Sequence, residues 1–402
     1  MKLNFGPGVL VAAAFIGPGT VTACTLAGAN FGFVLIWALI FATLATVILQ
    51  DMSARLGAGA KLGLGEALMQ ATPWRPVRVL VAGLVFAALV IGNCAYEGGN
   101  LAGGALGLDA IFNAAGLSQS VWVSVIALGA GLAVFFGRYA FLERFLITLV
   151  LLMSAAFIVS AVLVRPDFGA ILDGLVPRIP TGGTLTAIAL IGTTVVPYNL
   201  FLHAAAAREK YTQSGAERAA RQESALSIGL GGLVSILILS TAAASLFQTQ
   251  IEVRNAGEMA LAIEPAFGSS ARYFVGVGLF AAGLTSAITA PMATAYALSE
   301  LLGDRIEDKR RLFQSVALSV VAIGATINLA GLKPVSLILI AQYANGLLLP
   351  IIAGFLLYVM NQRDLLGSHV NNWAANVAGL AVVLTTLGLG LRSILRAAGF
   401  GL

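Results

Sequence analysis

Long apolar runs separated by short polar segments make up most of this sequence. The runs lie at 7–29, 32–54, 77–107, 119–137, 144–164, 184–207, 223–247, 272–302, 312–331, 335–359 and 373–395. A helix needs about 20 mostly apolar residues to cross the hydrocarbon core of a bilayer, and each run is close to this length or longer. The pattern therefore predicts an all-α polytopic membrane protein with about eleven transmembrane helices.

The composition strengthens this prediction. Hydrophobic residues account for 59% of the 402 residues and charged residues for only 10%, whereas a soluble domain carries roughly 25% charged residues. The lipid bilayer is therefore the expected surroundings of the protein. The net charge of +5 does not indicate a nucleic-acid partner, because the charges lie in short clusters between apolar runs, as in the loops of membrane proteins.

The distribution of Lys and Arg predicts an orientation in the membrane. With the N-terminus in the cytoplasm, sixteen of the 23 Lys and Arg residues fall in cytoplasmic segments and seven fall outside. The positive-inside rule then predicts a cytoplasmic N-terminus and, with eleven spans, an external C-terminus. The loops are too short to fold alone, so we expect residues 1–402 to form one transporter domain in a bacterial inner membrane.

Two of the runs are interrupted at corresponding places, five spans apart. Gly17-Pro18-Gly19-Thr20 interrupts the first run and Val196-Pro197-Tyr198-Asn199 interrupts the sixth. Proline breaks a helix, and unwound backbone at membrane depth is tolerated where it is buried in protein or lines a cavity. Paired breaks indicate a transporter site between inverted repeats, here about 5–165 and 180–360, with 373–395 as an accessory helix. Ordinary proline kinks are the alternative.

Several stretches resemble the Nramp divalent-metal transporters. The similarity lies in Phe5-Gly6-Pro7-Gly8 through Gly17-Pro18-Gly19-Thr20, Gln50-Asp51-Met52-Ser53, Val196-Pro197-Tyr198-Asn199 with His203 downstream, Ala281-Ala282-Gly283-Leu284-Thr285-Ser286, and Ala341-Gln342-Tyr343-Ala344-Asn345-Gly346. These stretches follow the family's order along nearly the whole chain. The resemblance implies a LeuT-type fold, a 5+5 inverted repeat with discontinuous first and sixth spans, and transport of a small inorganic ion by alternating access.

The resemblance also implies a set of substrate-binding residues: Ala14, Gly17, Gly19, Thr20, Thr193, Val196, Tyr198, Asn199, Gln342 and Asn345. The family carries Asp-Pro-Gly-Asn and Met-Pro-His-Asn at the two breaks, but here Gly17 and Val196 replace the Asp and the Met. Thr20, Asn199 and Gln342 are left as possible metal ligands. Such oxygen donors suit a hard, largely hydrated ion. We therefore expect a divalent ion of the Mg²⁺ or Mn²⁺ class, carried partly hydrated.

A small anion or zwitterion remains an alternative substrate at this stage. The half-helices expected to begin after Gly19 and after Asn199 would present amide hydrogens and positive dipole ends to the site. Without a carboxylate, a divalent cation would be poorly compensated there. The amino-acid sequence leaves both substrate classes open.

Three polar residues are candidates for proton coupling. Glu97 lies deep in the third span and resembles the first of two acids in the family; Asn100 replaces the second acid. His203 lies one turn beyond the sixth-span break, where a proton relay and a packed neutral histidine are both possible. With one family acid replaced, we expect altered or absent proton coupling.

No enzyme motif accompanies these features. The sequence has two histidines, His203 and His369, and lacks the His-Glu-x-x-His, Gly-x-Ser-x-Gly and phosphate-binding Gly-x-x-x-x-Gly-Lys-Ser/Thr patterns. We therefore expect neither catalysis nor a cofactor. A passive channel remains an alternative to a carrier.

Overall fold

A computed structural model describes residues 16–112, 116–136, 140–213, 216–249, 251–303 and 309–398, and the regular secondary structure of these ranges is helical. The helices are α1 (Pro18–Phe31), α2 (Ile36–Ala54), α3 (Leu64–Ala71), α4 (Arg75–Phe112), α5 (Gln119–Phe136), α6 (Ala140–Val164), α7 (Phe168–Asp173), α8 (Thr184–Thr194), α9 (Pro197–Lys210), α10 (Glu217–Leu246), α11 (Ala256–Ala260), α12 (Glu264–Phe267), α13 (Ala271–Leu302), α14 (Lys309–Leu329), α15 (Pro334–Val359), α16 (Arg363–Leu366) and α17 (Trp373–Ala397).

Ten helical segments in the described ranges are long and apolar enough to cross a membrane. They correspond to the second through eleventh predicted runs, with α8 and α9 together forming the sixth. The first run is represented by α1, since its beginning lies outside the described residues. Large apolar side chains such as Leu128, Leu151 and Leu384 are exposed on these helices, as lipid-facing side chains are. The protein is therefore an integral membrane protein.

Two helices begin at prolines inside predicted runs. Gly17 is extended before Pro18 (φ −99°, ψ −175°), and Val196 is extended before Pro197 (φ −88°, ψ 119°). Proline is favoured at the first helical position because it lacks an amide hydrogen and its fixed φ suits the helix. The breaks therefore lie on the N-terminal side of each proline. The expectation that the half-helices begin after Gly19 and Asn199 was wrong, because it placed both starts too late.

Glycines allow the long helix α4 to approach its neighbours closely. A Cβ on Gly283 of α13 would overlap the backbone of Gly104, and a Cβ on Gly107 would overlap the backbone of Gly276. Small residues at such positions let membrane helices pack backbone against backbone. A Cβ on Gly103 would likewise overlap the ring of Pro18. The first break therefore rests directly on α4.

The helices α2 and α9 are also in close contact. A π-helical turn, Arg55–Gly59, continues α2, and a Cβ on Gly57 within this turn would overlap the backbone carbonyl of Ala204 in α9. At the adjacent residue of α9, Nδ1 of His203 lies 2.6 Å from Oε1 of Gln50 in α2. The second half of the sixth span, α9, is therefore in close contact with the end of the second span.

Charged side chains connect several helices at one end of the bundle, here called the basic end. Nε of Arg55 lies 3.1 Å from Asp51 Oδ2, Nε of Arg221 lies 2.5 Å from Asp51 Oδ1, and Nη1 of Arg208 lies 2.9 Å from Glu66 Oε2. Arg55, which is buried, also donates a hydrogen bond to the carbonyl of His369. These contacts hold α2, α3, α9, α10 and the segment before α17 together.

Candidate functional site

A hydrogen bond between two threonines joins the two broken helices. Oγ1 of Thr20, in the first turn of α1, lies 2.9 Å from Oγ1 of Thr193, in the last turn of α8. Both side chains are buried. The two breaks are therefore in direct contact through Thr20 and Thr193.

Gln342 of α15 completes the contact between these segments. A Cβ on Gly19 would overlap the Gln342 side-chain amide, and a Cβ on Gly192 of α8 would overlap the Gln342 backbone carbonyl. The side-chain Nε2 donates a hydrogen bond of 3.2 Å to the Ile338 carbonyl. Its Oε1 is buried and accepts no hydrogen bond from the described residues. Gln342 therefore presents an unsatisfied oxygen close to both breaks.

Two further amide side chains are buried with unsatisfied atoms. Neither Oδ1 nor Nδ2 of Asn199 has a hydrogen-bond partner within the described part of the chain, and the same holds for Nδ2 of Asn345. Buried polar atoms are normally hydrogen-bonded, so orphaned groups of this kind indicate a ligand or water. Tyr198, next to Asn199 in the chain, packs its ring against Tyr96 of α4 at a centroid distance of 5.6 Å.

Some amide hydrogens at the starts of the two half-helices already donate hydrogen bonds to backbone carbonyls. The Thr20 and Val21 amides donate to the carbonyl of Gly17, and the Asn199 amide donates to the carbonyl of Val196 over 3.0 Å. Pro18 and Pro197 have no amide hydrogen to offer. Each half-helix consequently presents fewer donors to an anion than the ordinary start of a helix does.

Glu97 and Asn100 lie three residues apart, and therefore on one face of α4. The Glu97 side chain is fully buried and packs where Gly324 of α14 leaves room for it. Its Oε2 accepts a 3.4 Å hydrogen bond from Asn100 Nδ2, and its Oε1 has no hydrogen-bond partner among the residues described. The structure therefore brings these two coupling candidates into contact with each other and places Glu97 against α14.

His203 is held between α2 and α10 by contacts at both ring nitrogens. Nδ1 lies 2.6 Å from Gln50 Oε1, and Nε2 lies 3.0 Å from Ser224 Oγ. The ring is fully buried. The ring is therefore packed and hydrogen-bonded at both nitrogens, and a role of His203 in proton coupling stays a prediction.

The sequence identified most of these positions but not their partners. Gln50, Ser224 and Tyr96 were not singled out, although Gln50 is a polar residue inside an apolar run and could have been found by that signal. The other two give no local signal, because only the fold brings them to His203 and Tyr198. Ala14, a predicted substrate-binding residue, lies outside the described residues.

Solved structures share this fold. The chain is similar to a manganese transporter of Eremococcus coleocola solved with an aromatic bis-isothiourea substituted compound, with a TM-score of 0.77, 21% identity, and coverage of 97% of this chain and 85% of that one. It is also similar to Mhp1, a nucleobase-cation-symport-1 family transporter, with a TM-score of 0.63, 15% identity, and coverage of 98% and 93%. The fold is accordingly of the LeuT type.

Related amino-acid sequences also match nearly the whole chain. The "Divalent metal cation transporter MntH" of Yersinia pestis (strain Pestoides F) is 27% identical over 397 residues, which are 97% of this chain and 94% of that protein. MntH of Deinococcus radiodurans is 27% identical over 401 residues, covering 96% and 87%. A family model described as natural resistance-associated macrophage protein-like matches residues 8–396. The chain therefore belongs to the Nramp family.

Proposed function

We propose that this protein is a secondary transporter that carries a divalent metal ion, partly hydrated, across the membrane by alternating access. The observation that carries the proposal is the 2.9 Å hydrogen bond between Thr20 and Thr193. It joins two broken helices beside buried amide groups with unsatisfied atoms. Broken helices of this kind form the substrate site of LeuT-type transporters. Family membership and the divalent-metal relatives support the same substrate class.

The donors at this site favour an ion that keeps part of its water shell. Asn199 and Gln342 each present an amide oxygen with no hydrogen bond from the described residues, and Thr20 adds a hydroxyl. Gly17 and Val196 supply neither a carboxylate nor a thioether. Carbonyl and hydroxyl oxygens suit Mg²⁺ and Mn²⁺, and Mg²⁺ in particular retains several waters when protein ligands are few.

The anion or zwitterion alternative is not favoured. The relatives that match are described as transporters of divalent metal cations. The argument for an anion depended on free amide hydrogens, and the Thr20 and Asn199 amides are bonded to the carbonyls of Gly17 and Val196. An anion stays in the experiment below as a competing substrate.

The basic end faces the cytoplasm in this proposal. The contacts of Arg55, Arg208 and Arg221 lie there, and positively charged loops remain on the cytoplasmic side. The N-terminus is then cytoplasmic, the C-terminus is external, and residues 1–402 form one transport domain of a bacterial inner membrane with no enzymatic activity. Glu97 is the candidate for whatever proton coupling the carrier retains.

Purified protein in liposomes tests this proposal directly. Uptake of Mg²⁺, Mn²⁺ and a small anion is measured side by side, with protein-free liposomes and an Asn199→Ala variant as controls. We expect saturable uptake of a divalent ion that falls at least tenfold in the variant, because the variant lacks a ligand oxygen. Uptake of the anion alone contradicts the proposal, and a conductance without saturation indicates a channel.

A further inference from the structure

A second polar site lies at the basic end, away from the two breaks. A cavity of about 810 Å³ opens there between α3, the start of α4, the end of α9 and the end of α13. Two carboxylates, Glu66 and Glu300, line it together with Arg208. The three residues come from different helices, so the cluster exists only in the folded protein.

The guanidinium of Arg208 lies between the two carboxylates and is closer to Glu66 than to Glu300. Its Nη1 lies 2.9 Å from Glu66 Oε2, and its Nη2 lies 3.9 Å from Glu300 Oε1. The second distance is too long for a hydrogen bond. The other oxygen of Glu66, Oε1, accepts a hydrogen bond of 3.1 Å from Gln70. Glu300 is therefore the less satisfied carboxylate of the pair.

The backbone around Glu300 is shaped to hold a carboxylate. The Glu300 side chain is only 10% exposed, its Oε2 accepts a 3.0 Å hydrogen bond from the Gly65 amide, and its Oε1 has no hydrogen bond from any described residue. A Cβ on Gly63 would overlap this carboxylate. A buried charged oxygen without a hydrogen bond is costly unless a cation compensates it.

The cluster shares a helix with the candidate substrate site. Asn199 and Arg208 are both in α9, nine residues apart, which corresponds to about 14 Å along a helix. The same half-helix thus carries a predicted substrate ligand at its buried start and the cluster's cation at its solvent-facing end.

We propose that Glu66 and Glu300 form a release site for the transported divalent cation, and that the Arg208 guanidinium occupies this site as a tethered cation in the present state. The proposal rests on the function proposed above. Carboxylate oxygens are hard ligands suited to Mg²⁺ and Mn²⁺. An arriving ion takes the place of the guanidinium between the two carboxylates, and the returning guanidinium expels the ion into the cavity.

The site is built for weak binding. The described ranges contain no group of three or more His, Cys, Asp or Glu that could hold a metal ion, so the carboxylate pair binds a hydrated ion through few ligands. Two more cations line the cavity: Arg75, which is exposed, and Arg78, whose Nε donates to the Thr72 carbonyl over 2.7 Å. Their positive charge favours departure of the ion towards solvent.

Mn²⁺ binding to the purified full-length protein, counted by electron paramagnetic resonance, tests the release site. Arg208→Gln removes the tethered cation, so we expect the carboxylate pair to bind Mn²⁺ at least tenfold more tightly than in the wild type. Adding Glu300→Gln, which preserves an acceptor for the Gly65 amide, should abolish the gain. Lys210→Gln is the matched control, because it removes a positive charge from the same end of α9. The Nζ of Lys210 lies 3.6 Å from Oε2 of Glu223, which is not part of the proposed site.

Arg208→Lys provides a second variant if Arg208→Gln does not fold. A lysine ammonium is a compact charge that cannot reach both carboxylates as a planar guanidinium does, so we expect an intermediate gain in Mn²⁺ binding. Equal Mn²⁺ binding by the wild type and by the Arg208 and Lys210 variants overturns the release site. If the wild type still takes up a divalent ion, the transport proposal stands. Tight Mn²⁺ binding by Arg208→Gln without metal uptake by the wild type overturns the release role.

Discussion

Adding a methyl group on either side of Gln342 should separate its role in transport from its role in packing. Gly19→Ala places the methyl against the Gln342 side-chain amide, whereas Gly192→Ala places it against the Gln342 backbone carbonyl and the Gly346 amide nitrogen. A side chain can rotate away from a methyl group, but the backbone of a packed helix cannot. The two substitutions therefore have different consequences at one residue.

The expected changes in stability follow from these contacts. In Gly19→Ala the Gln342 amide swings aside and loses its hydrogen bond to Ile338, which is worth about 0.5–1.5 kcal/mol. Replacing glycine by alanine in a helix returns about 0.5–1 kcal/mol, so the free energy of unfolding should change by less than about 1 kcal/mol. Gly192→Ala forces α8 away from α15, and overpacking of this kind costs about 1–3 kcal/mol.

The substitution with the smaller effect on stability, Gly19→Ala, should have the larger specific effect on transport. Gly19→Ala moves the unsatisfied Gln342 oxygen away from the breaks, so we expect divalent-ion uptake in liposomes to fall at least tenfold while the melting temperature stays close to that of the wild type. Gly192→Ala should lower the melting temperature clearly. Gly83→Ala, with open space around its Cβ, is the control and should leave uptake unchanged. Wild-type uptake by a well-folded Gly19→Ala protein would refute the placement of Gln342 in the site.

Three further predictions concern the remaining site residues. Glu97→Gln should flatten the pH dependence of uptake, because an ionisable group inside a membrane span is commonly functional; unchanged uptake at every pH tested would make Glu97 a structural residue. The double substitution Gly17→Asp with Val196→Met should give Mn²⁺ a carboxylate and a thioether and raise its affinity in calorimetry, whereas micromolar Mn²⁺ binding by the wild type would contradict the hydrated-ion proposal. Thr193→Val should lower the free energy of unfolding by about 0.5–1.5 kcal/mol, because the hydrogen bond to Thr20 is lost, and should reduce uptake; a variant with unchanged melting and uptake would show that the two hydroxyls do not matter.

The apolar runs and the two prolines were sufficient to predict the helices and the two breaks, whereas the family was predicted from the resemblance of several motif stretches. Each run is long enough to identify a span by itself, and Pro18 and Pro197 mark the breaks through their own covalent chemistry. The starts of α1 and α9 differ from the prediction, because proline occupies the first position of each helix. The residues assigned to the substrate site remain a prediction.

Contacts between distant segments were beyond sequence reasoning. Glu66, Arg208 and Glu300 are separated by more than 90 residues each, and no periodicity connects them. Their cluster depends on how α3, α9 and α13 converge at the basic end, which only the packed helices determine. Gly63 and Gly65 leave room for Glu300, but a glycine in the sequence does not say what approaches it.

The backbone of Gly57, in the π-helical turn that continues α2, closely approaches the backbone of Ala204 in α9. This contact couples the positions of the two helices. Because backbone atoms cannot repack by changing rotamers, we expect the buried half-helix α9 and α2 to tilt together. The bending must then occur where α2 joins the rest of the chain, at Gly32, which has a φ of +58°, and in the segment 60–63. Leu44 of α2 is 58% exposed, so a spin label at this position would report a motion that α2 shares with the buried start of α9.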